Sequence, residues 1–273
     1  MQLRADCQRC FGLCCVAPAF AASADFAIDK PAGQACPQLR ADFACTIHDR
    51  LRPAGFPGCD AYDCFGAGQQ VAQITFGGRD WRQAPETAGQ MFAVFAVMRD
   101  LHELLWYLAE ARRLPPARPL RGQLDRARDR TERLTGAGPD ALLELDLPAH
   151  QRDVDRLLRR TSELTRAGAG AGADLARADL AGADLARADL AGADLRTADL
   201  AGADLRGACL IGADLSGAEL PATDLIGADL RAADLRGTDL SGSIFLTQRQ
   251  VGAARGDSGT RLPESLTRPA HWR

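Results

Sequence analysis

At 273 residues, 46% hydrophobic and 25% charged, the chain has the composition of a soluble folded protein with one large domain or two to three small ones. Its net charge of −3 favours no class of partner by bulk electrostatics. No apolar run with a basic flank stands at the N-terminus, and CCVAPAFAASADFAI is too short for a bilayer and broken by Pro18 and Asp25, so no secretory signal or membrane span is predicted and a cytoplasmic location is expected.

The chain opens MQLRADCQRCFGLCC. Eight of its nine cysteines lie in the first quarter: Cys7, Cys10, Cys14, Cys15, Cys36, Cys45, Cys59 and Cys64. Cytosolic thiols stay reduced, so a cluster of this kind reads as metal ligands more readily than as disulfides. A C-x-x-C knuckle brings two thiolates to one metal from a tight turn, with backbone N–H groups facing the sulfurs. The vicinal Cys14 and Cys15 diverge, so they serve different partners or bridge two irons. Further on comes the frame ACPQLRADFACTIHDRLRPAGFPGC.

Residues 5–66 resemble the CxxCxxxCC family of zinc- or iron-chelating domains. The first motif matches at Cys7, Cys10, Cys14 and Cys15. The later frame matches at Cys36, Pro37 and Leu39, at Cys45 and Ile47, and at Arg52, Pro53 and Cys59. His48 stands where that family usually has Tyr, one residue is extra before Arg52, and the gap to Cys59 is longer. His48 is read as a surface or hydrogen-bonded residue rather than a ligand. The resemblance implies metal binding, and with Cys64, which follows the frame in YDCFG, all eight clustered cysteines are the expected ligands. Two zinc sites would use eight thiolates and one cubane iron–sulfur cluster would use four. The vicinal pair and the richness in thiolate favour iron–sulfur over zinc, and both stay open.

VAQITFGGRDW is predicted to be a strand ending at Gly77-Gly78. A long helix follows, with Thr87 near its start and an apolar stripe of Met91, Val94, Phe95, Met98, Leu101, Leu105 and Leu108. His102 and Glu103 on this helix are read as surface residues. Leu120, Leu124, Ala127, Thr131 and Leu134, and then Val154, Leu157, Leu158, Thr161 and Leu164, predict two antiparallel amphipathic helices. Asp129 with Arg133 and Asp155 with Arg159 are spaced for i,i+4 pairs. The RAGAGAGA run at 166–173 reads as a hinge or a degenerate first repeat.

From Leu175 to Leu240 a leucine stands at every fifth position, fourteen without a gap, and Phe245 continues the series. Five is odd, so this is no flat strand, and five helical steps of about 100° leave no stripe. The chain must turn a corner once per repeat. A small residue two before each leucine would point inward with it, and the acid between them outward. Thirteen of the fourteen residues before these leucines are Asp or Glu, against six arginines, so the acidic columns are partly neutralised. Carboxylates twenty apart, such as Asp174, Asp194, Asp214 and Asp234, should stack in register.

Residues 171–245 resemble the pentapeptide-repeat family. The resemblance implies a right-handed quadrilateral β-helix (a β-solenoid) with four repeats per coil, just under four coils here and roughly 18 Å long. Some members of that family mimic DNA and protect type II topoisomerases; here the shortness of the rod and its arginines favour Asp as simply the usual residue at an outward position. Past the repeats, Thr247 and Gln250 form a capping box, Gly256 is placed to end the short helix, and Leu262, Leu266 and Trp272 can cover apolar surface. His271 reads as packing or surface.

The expected organisation is a cysteine-rich α+β metal domain with its long helix (1–112), a helical connector (113–166), the repeat solenoid (167–245) and a capping helix with tail (246–273). No phosphate loop, nucleophile elbow or HExxH motif is present, and the glycines at 66–68 and 77–78 miss the dinucleotide fingerprint. The leading expectation is therefore non-enzymatic: a zinc or iron–sulfur protein whose solenoid docks a protein partner, possible redox response included, with no nucleic acid or membrane. The rival is a metalloenzyme that uses its cluster for protein modification.

Overall fold

The structure is a computed structural model and describes residues 3–23, 25–166 and 180–272. The elements in chain order are α1 (Leu13–Val16), α2 (Pro57–Ala61), α3 (Ala67–Gln69), α4 (Pro85–Arg113), α5 (Arg121–Thr135), α6 (Pro139–Leu143), α7 (Leu147–Arg166) and α8 (Gln248–Ala253). The chain packs as two units. One comprises residues 1–112 and 121–157; the other comprises 113–120 and 158–273. The expected connector is thus not a body of its own.

In the first unit α4 presents the predicted stripe. Met91, Val94, Phe95, Met98, Leu101, Leu105 and Leu108 are all buried, and Leu13, Val16, Val71 and Leu142 join the core they form. The helices α5 and α7 run antiparallel: Thr131 meets His150 (2.9 Å) and Arg130 meets Asp153 (3.5 Å). Asp129 pairs with its neighbour Arg128 rather than with Arg133.

Two expectations fail in this unit. Residues 70–75 form a π-helical turn that continues α3, not a strand. Ala67, Gly68, Val71 and Ala72 are the buried positions, a helical spacing, while Ile74 is 65% exposed. Nor is the unit α+β: among the described residues it has only two isolated antiparallel bridges, Phe20 with Lys30 and Leu39 with Cys45. Closely spaced cysteine turns leave no room for longer pairing.

The second unit is a solenoid. Each described leucine from Leu195 to Leu240 is buried, and so is the Ala, Thr or Ser two residues before each from Ala198 onward. The corner is a β-turn: the Leu205 carbonyl accepts from the Ala208 N–H (3.0 Å), and the third residue, Gly207, has φ 66°. That sign of φ defines a type II turn and favours glycine. Where the residue before a leucine is Asp, it closes the corner. Its Oδ1 accepts the N–H two residues on, as in Asp204 with Arg206 (3.0 Å) and Asp224 with Ile226 (3.0 Å). Successive coils pair in parallel at a separation of twenty residues, Asp194 with Asp214 and Asp214 with Asp234 among them. One coil is therefore four repeats. The expected β-helix has isolated bridges in place of strands, because a turn every five residues leaves one pairing residue per side.

Asp174 and the other repeat residues before Leu180, with the run from Ala167 onward, lie outside the described residues. Arginines one position after a leucine fold back on the preceding acid: Arg196 on Asp194 and Arg231 on Asp229, at 2.7 and 2.8 Å. One pair is different. Arg206 and Asp224 are 3.0 Å apart with side chains 8% and 0% exposed, and Ser162 of α7 also bonds that carboxyl. Burial pushes the Asp224 carboxyl up, and Arg206 opposes it.

The tail continues the stack. Ile244 bridges to Asp224, Arg255 to Asp234 and Arg261 to Asp239, so α8 is an insertion between the bridging residues Ile244 and Arg255. The capping box at Thr247 and Gln250 is present, and Gln250 Nε2 also donates to the carbonyls of Leu225 and Ala228. Gly256 does not end α8, which stops at Ala253. A Cβ at Gly256 would stand 2.4 Å from the Trp272 ring, so its hydrogen seats that indole. Trp272 and His271 both bond the Ala254 carbonyl at 3.1 Å.

The corner geometry sets opposite outcomes at equivalent positions. Gly227 (φ 68°) and Ala232 (φ 57°) occupy the same turn position. Gly227→Ala is expected to destabilise the solenoid by about 1 kcal/mol and Ala232→Gly to stabilise it by roughly 0.5 kcal/mol, read by urea unfolding. In the same assay Arg206→Ala should cost about 3–5 kcal/mol, because it strands a buried carboxylate. Arg231→Ala, at an exposed pair, should cost under about 1 kcal/mol.

Candidate metal centre

Four short segments carry the cysteines into one place. Cys7 opens a single helical turn (Cys7–Arg9), Cys10 follows it, and Cys14 and Cys15 sit on α1. Cys36 and Cys45 flank the loop closed by the Leu39–Cys45 bridge, Cys59 lies on α2, and Cys64 precedes α3. All eight line one cavity of about 550 Å³, whose wall also includes Phe20, Phe26, Phe56 and Phe95. All are free thiols, and so is Cys209 in the solenoid. The sulfurs of Cys14 and Cys15 are 3.9 Å apart. Among the described residues, no three Cys, His, Asp or Glu side chains stand at ligating distance of a common point. His48 is exposed at the rim.

The turns around the sulfurs share a feature. Backbone N–H groups point at four of them: Gly12 and Leu13 at Cys10, Gln38 at Cys36, Ile47 at Cys45, Gly68 and Gly66 at Cys64. Such donors stabilise a thiolate, and they are the groups that surround sulfur in metal knuckles. Gly68 completes the fit. A Cβ there would lie 2.8 Å from the Cys10 Cβ, 3.5 Å from its sulfur and 3.9 Å from the Cys64 sulfur. The donor set and this cradle fit a soft, thiophilic metal.

Without a metal the electrostatics oppose ionisation. Burial pushes the Cys10 and Cys59 thiols up to about 12 and raises those of Cys7, Cys36, Cys45 and Cys64. The vicinal pair splits: Cys14 hydrogen-bonds to Cys15, which holds Cys14 protonated and draws Cys15 toward thiolate, with Lys30 assisting.

Lys30, the only lysine in the chain, is 3% exposed. Its ammonium donates to the carbonyls of Gln34 (2.9 Å), Pro31 (3.1 Å), Val16 (3.3 Å) and Pro18, and it lies over the Phe20 ring. Cys36, Cys15 and Cys59 are its electrostatic neighbours. Composition alone gave no reason to place it here.

His102 is fully buried, not a surface residue, and does not pair with Glu103. Its Nδ1–H donates to the Phe65 carbonyl at 2.8 Å, and burial keeps the ring neutral. Glu103 instead bonds Arg99 and Tyr107. Trp81 Nε1–H donates in the same way to the Phe11 carbonyl at 2.9 Å. Phe11 and Phe65 each follow a cysteine in the tripeptide Cys-Phe-Gly, and that repetition was the available signal for both supports.

No helix of the described residues is long and apolar enough to cross a membrane. Residues 173–210 and 208–245 match the family model for pentapeptide repeats. The chain is similar to the uncharacterized protein YybG of Bacillus subtilis (strain 168), 57% identical over 271 residues, covering 99% of this chain and 95% of that protein. Among solved structures it is similar to the pentapeptide repeat protein Rfr23 of the cyanobacterium Cyanothece 51142 (35% identity, 31% of this chain and 56% of that one, TM-score 0.28). It is also similar to alr5209, a pentapeptide repeat protein of Nostoc PCC 7120 (33% identity, 38% and 84%, TM-score 0.20). Identity of this extent over nearly the whole of both chains places the protein in the same family as YybG, and its repeats are pentapeptide repeats.

Proposed function

We propose that the protein binds a thiophilic metal, zinc or iron–sulfur, through the cysteines of its first unit, and that its pentapeptide-repeat unit is a scaffold for a protein partner. The observation that carries this reading is the convergence of eight free thiols on one cavity, with N–H donors aimed at four of the sulfurs. The metal would neutralise thiolates that burial otherwise disfavours, and the N–H groups would hold their remaining charge.

Among the described residues lining the cavity there is no arginine or glutamate, which favours holding a metal over protein-modifying catalysis. The solenoid acids are occupied in closing corners and in pairing with arginine, which favours a structural role for them over mimicry of DNA.

Anaerobic purification with elemental analysis and an absorption spectrum tests the metal. Zinc gives a colourless, zinc-loaded protein; an iron–sulfur centre gives a brown one with iron and sulfide. A colourless, metal-free protein ends the reading. A pH series supplies a second check. In the metal-free chain the thiols of Cys10 and Cys59 lie at about 12 against an ordinary 9.0, so the unfolded state ionises first. Their contribution is intact below pH 9 and is lost as pH rises toward 12. Metal-loaded protein should show the reverse, losing stability on acidification as protons compete for the sulfurs. Melting temperatures of chelator-treated and loaded samples between pH 5 and about 10 read both slopes.

A further inference from the structure

We propose that the cavity holds two separate four-thiolate metal sites, divided between the vicinal cysteines: Cys7, Cys10, Cys14 and Cys64 make one, and Cys15, Cys36, Cys45 and Cys59 the other. The proposal rests on the metal reading above and specifies how the thiols are shared.

The first site is built on a repeated knuckle. Cys10-Phe11-Gly12 and Cys64-Phe65-Gly66 have the same sequence and the same backbone, with φ of 54° and 64° in one and 49° and 81° in the other. A left-handed Phe is strained, and each is held by a ring N–H on its carbonyl, from Trp81 and from His102. Both turns aim the N–H of their glycine at the cysteine sulfur, and Gly68 lets them meet. Cys7 is tied to the same place. Gln69, five residues after Cys64, accepts from the Asp6 N–H and donates to the Arg4 carbonyl, and Gln73 donates to Arg9.

The second site has a knuckle pair of its own. The Gln38 and Ile47 N–H groups face Cys36 and Cys45, and the Thr46 N–H to Gln38 carbonyl bond (2.9 Å) locks the two turns together. Cys45 and Cys59 pack on one small cluster of Ile47, Leu51 and Phe56.

Cys14 and Cys15 decide the division. Adjacent side chains leave α1 about 100° apart, so Cys14 and Cys15, whose sulfurs meet at 3.9 Å, stand at the seam with a different set of partners on either side. Cys14 and Cys64 both pack against the core that includes Leu13 and Val16. The Cys15 carbonyl accepts from the Cys36 N–H at 2.9 Å, which sets Cys15 beside the second pair. The electrostatic neighbours divide the same way. Cys14 feels its neighbour Cys15 most and then Cys10 and Cys64, whereas Cys36, Cys45 and Cys59 each feel Cys15 first among the cysteines and none of them feels Cys14. Cys7 feels Cys64 before Cys15, a cross-talk expected at a seam between the sites. Four thiolates on a divalent ion leave a charge of −2. Lys30, next to Cys15, Cys36 and Cys59, offsets part of it in the second site. The four sulfurs of a site would release their protons as the ion enters; no electrons move.

The test is native mass spectrometry and alkylation mapping of the full chain, stripped and reloaded with Zn²⁺ alone. Two ions are expected. Cys14→Ser should retain one and expose Cys7, Cys10 and Cys64 to alkylation while Cys15, Cys36, Cys45 and Cys59 stay protected. Cys15→Ser should give the mirror image. Adding Cys64→Ser to Cys14→Ser should cost no further ion, whereas adding Cys59→Ser should remove the second. If Cys14→Ser does not fold, Cys7→Ser, at an exposed position, must give the same map. One ion in the wild type, or loss of protection at all seven remaining cavity thiols in the folded Cys7→Ser variant, overturns the division while leaving metal binding standing. Absence of zinc from the wild type on reloading overturns both.

Discussion

The repeated tight turns of the described residues leave an N–H that the backbone does not accept, and a side chain two residues earlier takes it. In the solenoid the acceptor is Asp: Asp204 takes the N–H of Arg206 and Asp224 that of Ile226. In the first unit it is sulfur: Cys10 faces the N–H of Gly12, Cys36 that of Gln38, Cys45 that of Ile47 and Cys64 that of Gly66. A buried donor without a partner costs several times what a made hydrogen bond contributes. The acceptor therefore determines where the chain can turn, and the turns determine both folds.

The two acceptors have different consequences. A carboxylate carries its charge unaided, and at a solvated corner that charge needs only an occasional arginine. The solenoid can accordingly repeat its corner indefinitely with no other resource than leucine and alanine inside. Where a corner is covered, as at Asp224, a full ion pair with Arg206 and a hydroxyl from Ser162 come in. A buried thiol, in contrast, stays protonated, and a neutral sulfur is a weak acceptor. The same turn geometry is satisfied in one unit by the residue alone and in the other only in part.

This difference also governs what could be read in the sequence. The solenoid was legible because its determinants are local: leucine every five, a small residue two before, an acid between. That it turns a corner once per repeat was legible, while the type of turn, signalled by glycines such as Gly207, Gly212 and Gly227, was not read. Where packing partners are distant, reading failed. Val71, Ile74 and Thr75 resemble a strand by composition, yet α4 and α1 bury Val71 and leave Ile74 out. Gly256 resembles a helix stop, and the ring that needs its space is sixteen residues away in Trp272. Lys30 is held by backbone carbonyls, which have no sequence signature at all. The clustering of the eight cysteines was legible as a set and they share one cavity, while the bond of the Cys15 carbonyl to the Cys36 N–H had no sequence signal.

The cysteine unit is arranged for a charge that its thiols do not hold by themselves. N–H groups, the buried Lys30 ammonium and the Cys-Phe-Gly knuckles with their strained Phe residues all favour negative sulfur. Burial among Phe20, Phe26, Phe56 and Phe95 opposes it and takes Cys10 and Cys59 to about 12. Burial alone would make the donors idle, and donors alone would make reactive thiolates exposed to oxidation. The proposed cation would resolve the two together: it would replace the thiol protons, put charge where the N–H groups point, and leave a compact centre that an apolar wall can surround. The proposed metal would thus account, without appeal to any motif, for eight thiols sharing one cavity.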